Sequence, residues 1–170
     1  MSGTSHWMIG LLALAVIGAG CTREQGDARR YTLDDPIILR VDTRCVHLPN
    51  VFTPNGDGIN DKLSPVGSNV AALRFEVRTM NDELVHASTE PFNNAWDGTM
   101  NGAPLPNGPY RAKLEVHTWD SRWLRTEATV FKAGDPLNTC FTNDVAPFMG
   151  DMIDPRLCGA TYPGNDRFCQ

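Results

Sequence analysis

Residues 52–62 read FTPNGDGINDK, a Phe-Thr-Pro entry followed by two Asn, two Asp and two Gly around a single Ile. Oxygen-bearing side chains this close together can coordinate calcium, and closely spaced glycines can cradle a phosphate. An EF-hand loop needs a glycine at its sixth position and a bidentate glutamate at its twelfth. Counted from Asn55 those positions hold Asn60 and Val66, which excludes an EF-hand. A phosphate loop needs a lysine and a hydroxyl after its second glycine. Here Ile59-Asn60-Asp61 places a carboxylate there, and Asp57 adds a second charge that repels phosphate. Two readings stay open. One is a non-EF calcium site using Asn55, Asp57, Asn60 or Asp61 with backbone carbonyls and Asp97 from a neighbouring loop. The other is a metal-free corner in which Asn and Asp bond their own backbone, Gly56 and Gly58 take angles that a Cβ penalises, and Pro54 fixes φ. Two or three carboxylates are few for an ion that takes about six to eight oxygens, so the metal-free corner, with no cofactor, is favoured.

The cysteines are the second chemical feature. Cys21 follows Trp7–Gly20 (WMIGLLALAVIGAG), and the first 20 residues carry no Asp, Glu, Lys or Arg. A run of that length is short for a bilayer span and reads as an export signal. Gly18-Ala19-Gly20-Cys21 resembles the lipobox of bacterial lipoproteins, with Gly18 where a Leu-like residue is usual. The resemblance implies a diacylglycerol on the Cys21 sulfur and, with Thr22 in place of Asp, delivery to the outer membrane. Cys45, Cys140, Cys158 and Cys169 remain, an even number in an exported chain, so disulfides are expected. The pairing expected is Cys45 with Cys140 and Cys158 with Cys169. Zinc is disfavoured because neither a CxxC pair nor a His-x-x-x-His spacing is present.

Enzyme chemistry finds little support. His47, His86 and His117 are scattered, and there is no G-x-S-x-G or H-E-x-x-H motif. The net charge is −5, and no cluster of Lys and Arg interleaves with aromatics, which argues against nucleic acid as a partner.

The elements that carry these residues read as strands. Pro36–Thr43 is a β-branched run, and Val70–Thr79 alternates Leu73, Phe75 and Val77 with Arg74, Glu76 and Arg78. Asn81-Asp82 joins it to Glu83–Thr89 as a hairpin. Tyr110, Ala112, Leu114 and Val116 alternate with charged residues, and Asp120-Ser121 turns the chain into a strand from Leu124 to Phe131. No segment after the leader shows a helical apolar stripe. The expected fold is all-β: a small antiparallel, immunoglobulin-like β-sandwich over residues 36–132. A signal peptide (1–20) and a polar tether (21–35) precede it, and an irregular, cysteine-containing, disulfide-stabilised tail (133–170) follows.

Three sequence pieces then fall in order: Asn50–Lys62, Ala95-Trp-Asp-Gly-Thr-Met-Asn-Gly102, and Leu105-Pro-Asn-Gly-Pro-Tyr-Arg-Ala-Lys-Leu114. With the Glu83-Leu-Val hairpin arm between them, they resemble the gliding-motility-associated C-terminal domain. This is the type B sorting domain of proteins exported by the type IX secretion system. The resemblance spans roughly residues 45–120. In that family the domain usually ends a large secreted protein and acts as its export and attachment signal. Here no large cargo precedes the match and about 50 residues follow it, so the fold is expected to serve as a membrane-tethered module. Trp96 reads as a core plug over one end of the sandwich, with Asp97-Gly98, Asn101-Gly102 and Asn107-Gly108 as turns. The functional expectation is a non-catalytic outer-membrane lipoprotein, tethered through its lipid, that binds an envelope protein or a glycan in surface assembly, secretion or gliding motility. The rival is a carbohydrate-binding module presenting Trp119 and Trp123. The expectation for these rings is that one or both cover the sandwich edge or pack on the cysteine-rich tail.

Overall fold

Alternation decides the architecture. In the computed structural model, which describes residues 29–41, 44–160 and 166–169, Leu73, Phe75 and Val77 are buried on one face of their strand. Tyr110, Ala112, Leu114 and Val116 are buried on one face of another, while the charged residues between them point outward. A pleated strand sends successive side chains to opposite faces, so this pattern can be satisfied only by laying one face on a core.

The strands in chain order are β1 (Arg29–Tyr31), β2 (Ile37–Val41), β3 (Arg44–Leu48) and β4 (Val51–Phe52), then β5 (Val66–Ser68), β6 (Ala72–Arg78) and β7 (Leu84–Ser88). Two short strands, β8 (Thr99–Met100) and β9 (Ala103–Pro104), precede the long pair β10 (Gly108–His117) and β11 (Trp123–Lys132). The tail adds β12 (Thr139–Phe141), β13 (Ile153–Asp154) and β14 (Gly159–Ala160). A five-stranded sheet runs β4-β11-β10-β6-β7, antiparallel except where β4 lies parallel to β11, and β2-β3-β5 form an antiparallel sheet of three. Ile37, Val46 and Leu48 of the smaller sheet share one apolar cluster with Leu73, Phe75, Leu114 and Val116 of the larger. The fold class is all-β, as the alternation predicts, and two sheets meet on that core.

Trp96 closes the core. It is 1% exposed and lies against Phe52 and Tyr110, with ring centroids 5.2 and 4.9 Å away. Its indole N–H donates to the Thr99 carbonyl at 2.8 Å, so the buried polar atom is satisfied. Burying a side chain of this size stabilises the fold by about 2–3 kcal/mol. The hairpin without a glycine is made by Asp82, which takes the left-handed conformation at φ 71°. The register of the hairpin shifts between Val77 and Arg78.

Two expectations fail. Part of the stretch read as a tether is folded: β1 pairs in parallel with β12, and Leu33, 4% exposed, packs with Val51, Phe131, Ala133 and Met149. The Tyr31 ring lies 4.3 Å from that of Phe131. Tyr31 and Leu33 are the apolar members of a polar stretch, and all their named partners but Val51 lie about a hundred residues downstream, beyond any local pattern. The disulfide pairing also differs. Cys45 is bonded to Cys158 and Cys140 to Cys169, across Cα separations of 5.5 and 4.8 Å. Cys45 sits on β3 and Cys158 in the turn after β13, whereas Cys140 sits on β12 beside the chain end. Proximity of that kind is set by the path of the tail and not by cysteine spacing. Cys21 lies outside the described residues.

Candidate functional site

The corner after β4 closes on its own atoms. Asp61 accepts the backbone N–H groups of Gly56 and Gly58 at 2.7 and 2.8 Å, one on each carboxylate oxygen. Asp57 accepts Ile59 N–H at 2.8 Å and the Asn55 side-chain amide at 3.1 Å, while Asn55 Oδ1 accepts Asp57 N–H at 3.0 Å. Gly56, Gly58 and Asn60 have φ of 82°, 87° and 52°, the left-handed region that these residue types tolerate best. Thr53 N–H donates to the Asn60 carbonyl at 2.9 Å and shuts the loop. Each carboxylate oxygen of Asp57 and Asp61 thus accepts a hydrogen bond from within the loop. Asp97 is turned to its own loop as well, accepting Thr99 N–H at 3.0 Å and Thr99 Oγ1–H at 2.8 Å. The Thr99 hydroxyl, ahead of the other influences, holds the Asp97 carboxyl below its usual range.

The tail docks on the outside of this corner. Asn60 donates to Asp151 Oδ1 at 3.1 Å, and Thr53 Oγ1–H donates to Asp166 Oδ2 at 2.5 Å. Asn50, just before β4, is 1% exposed. Its amide donates to the carbonyls of Asp34 and Ala146 at 3.0 and 3.1 Å and its oxygen accepts Phe148 N–H at 2.7 Å. Between corner and tail lies an open groove of about 550 Å³ lined by residues that include Ile59, Asp61, Lys62 and Asp151.

The remaining motif residues meet at Lys132, which sequence reasoning did not single out. Lys132 is 6% exposed and its ammonium donates to the Leu105 carbonyl at 2.9 Å and to Asn107 Oδ1 at 3.1 Å. Burial pushes its pKa below the ordinary lysine range. The same Asn107 oxygen accepts Gly134 N–H at 2.9 Å. Gly98, at φ 82°, leaves room for this lysine: a Cβ there would stand 2.4 Å from Lys132 Cε. Trp-Asp-Gly and Pro-Asn-Gly are therefore two sides of one lysine socket.

The histidines do not converge. His86 Nε2 lies 3.0 Å from the Asn94 carbonyl, and His117 stacks on Trp123 with centroids 4.7 Å apart. His47 is wholly buried, with Nε2 2.7 Å from Cys45 Sγ. Burial first, and Arg40 second, hold its pKa below the ordinary value. Trp123 is 41% exposed on the outer sheet face, with the Arg74 guanidinium 4.8 Å from its ring centroid. Trp119 is 68% exposed.

Fold and corner together define an all-β module crossed by two disulfides, its motif residues engaged in holding turns. Residues 46–125 match the family model of the CHU_C type IX secretion signal domain, in agreement with the type B sorting-domain motifs. No curated protein matches the chain. The domain makes this an exported protein of the cell envelope, linked to type IX secretion and gliding motility.

Proposed function

We propose that the chain is a non-catalytic lipoprotein of the outer membrane, anchored through Cys21, whose type IX secretion domain acts as a structural or interaction module in surface assembly, secretion or gliding motility. Its partner is another envelope protein. The observation that carries the reading is the family match over residues 46–125, on a chain whose Cys21 follows an export-type apolar run. The engagement of the corner carboxylates, of Trp96 and of Asn107 within the fold supports a module that needs neither calcium nor a catalytic residue. Acyl chains on Cys21 stabilise membrane attachment by about 0.8 kcal/mol per buried CH₂.

The test is fractionation of the full chain expressed in a bacterium that has the lipoprotein pathway. Cys21→Ser is expected to shift the protein from the detergent-extracted membrane fraction to the soluble one and to abolish incorporation of labelled palmitate. Equal membrane retention of the variant sinks the anchor. The carbohydrate-binding alternative rests on the exposed ring of Trp119. Glycan or peptidoglycan capture lost in Trp119→Ala and Trp123→Ala would replace the protein-partner reading.

A further inference from the structure

Beside the Cys45–Cys158 bridge lies a group the envelope module does not use. Cys45 and His47 stand two residues apart on β3 and so share one face of the strand, the face turned toward the tail, while Val46 and Leu48 point into the main core. Cys158 reaches the same spot from the turn after β13. The two sulfurs and the imidazole nitrogen lie within 4.8 Å of one another. Cys45 is 2% exposed and His47 0%, whereas Cys158 is part-exposed and leaves a path from solvent.

The imidazole is poorly matched to its surroundings. Its Nε2 is aimed at Cys45 Sγ from 2.7 Å, and Nδ1 is buried without a hydrogen-bond partner among the described residues. A disulfide sulfur carries no proton and accepts weakly, so in the oxidised state this buried ring has little to bond. No carbonyl or carboxylate among the described residues competes for the nitrogen that faces the sulfurs. Arg40, whose guanidinium donates to the Cys158 carbonyl at 2.7 Å, brings positive charge next to the place where thiolates would form.

We propose that Cys45, His47 and Cys158 form a soft-metal site that is unmasked when their disulfide is reduced. A dithiol transfers two electrons to the Cys45–Cys158 bond: the S–S bond breaks, two protein thiols form, and the dithiol leaves as its own disulfide. The ion then displaces both thiol protons to solvent and takes two thiolates and the Nε2 lone pair. Two sulfurs and one imidazole suit zinc(II) or copper(I) and discriminate against calcium and magnesium. Three protein ligands leave a fourth position of zinc open on the part-exposed Cys158 side. Coordination lengths of about 2.3 Å to sulfur and 2.0 Å to nitrogen require the sulfur–nitrogen contact to open to about 3.5 Å and the two sulfurs, freed by reduction, to part to about 3.8 Å. The proposal is independent of the lipid anchor.

The test uses the full chain, reduced with a phosphine under argon, freed of reductant and mixed with one equivalent of zinc. Alkylation of each cysteine is then followed by peptide mass spectrometry. Zinc is expected to slow modification of Cys45 and Cys158 by about tenfold or more and to leave Cys140 and Cys169 unprotected. Cobalt(II) in place of zinc should give a thiolate charge-transfer band, and His47→Gln should weaken cobalt binding and shift the ligand-field bands. The unreduced chain should bind neither ion. Because His47→Gln can loosen β3, the unmutated chain carries the deciding readout. Equal protection of Cys45, Cys140, Cys158 and Cys169, or protection of none of them, overturns the proposal.

Discussion

The corner at residues 53–61 and the tail beyond residue 133 are both irregular, yet they hold their shape by opposite means. The bonds accepted within the corner by the side chains of Asn55, Asp57 and Asp61 span two to five residues. The tail is held from far away: Asn143 clasps Leu33 across 110 residues, Asn50 holds Phe148 across 98, and Cys45 reaches Cys158 across 113. A short loop rich in Asx side chains supplies its own order, because the entropy of closing a few residues is small and each N–H finds a nearby oxygen. The tail has short closures of its own, at Asp135–Thr139 and Asp154–Leu157, but these do not fix its path, which depends on a folded sandwich to dock upon.

The largest expected effect comes from cutting the tail loose. Cys45→Ser combined with Cys158→Ser should lower the unfolding free energy by about 2–5 kcal/mol, read from the urea midpoint. Limited proteolysis should then cleave within residues 142–169 before it cuts β10 or β11. Removing the Cys140–Cys169 bridge, which closes 29 residues where the other closes 113, should cost about 1 kcal/mol less on chain-entropy grounds. Equal costs, or a tail that still resists protease in the first variant, would show that hydrogen bonds such as those of Asn50 suffice to hold it.

A smaller effect is expected at the corner. Gly56 has φ 82°, and a Cβ there would meet nothing within 4 Å, so Gly56→Val tests backbone strain alone. The cost should be about 1–3 kcal/mol and the same in millimolar calcium as in excess chelator. A calcium-dependent rise in melting temperature that disappears in Asp57→Ala would make the corner a ligand-binding loop, and the contrast with the tail would then be one between a metal and a disulfide.

The same contrast explains what could be read from the residues alone. The alternation of Leu73, Phe75 and Val77 and of Tyr110 to Val116 names its own buried face, and FTPNGDGIND names its own turns, because the causes lie within a few positions. Trp96 was legible as a core residue from its size and the glycine beside it. Lys132 was not, since its socket is built from Leu105 and Asn107 on the loop before β10 and from Gly98 on a separate turn before β8. His47 was overlooked for a related reason. Cys45-x-His47 places two ligand types on one strand face, a signal that was present, but its third member comes from Cys158 in the tail. The cysteine pairing and the folding of residues 29–34 failed in the same way: each is decided by where a distant segment docks.

The smallest effect sharpens the local side of the comparison. The turn from Thr118 to Arg122, with Ser121 at φ 62°, is another short loop organised by a carboxylate: Asp120 accepts the Thr118 hydroxyl and pairs with Arg122 at 2.7 Å. The Thr118 hydroxyl first, and Arg122 after it, push the Asp120 carboxyl down to about 2 from the ordinary 3.8. A carboxyl depressed in the folded state contributes stability that is present above its unfolded value and is lost as pH falls through the folded one, so the window runs from 3.8 down to about 2. Because Asp120 is exposed, solvent screens the effect and the change in stability over that window should be slight beside the two above. The carboxylate carbon resonance is the better readout. It should titrate near 2, rise toward 3.8 in Thr118→Ala, and rise by a smaller step in Arg122→Ala. A wild-type midpoint already near 3.8 would mean that this turn is set by its strands, β10 and β11, and that short-range carboxylate bonds govern the corner alone.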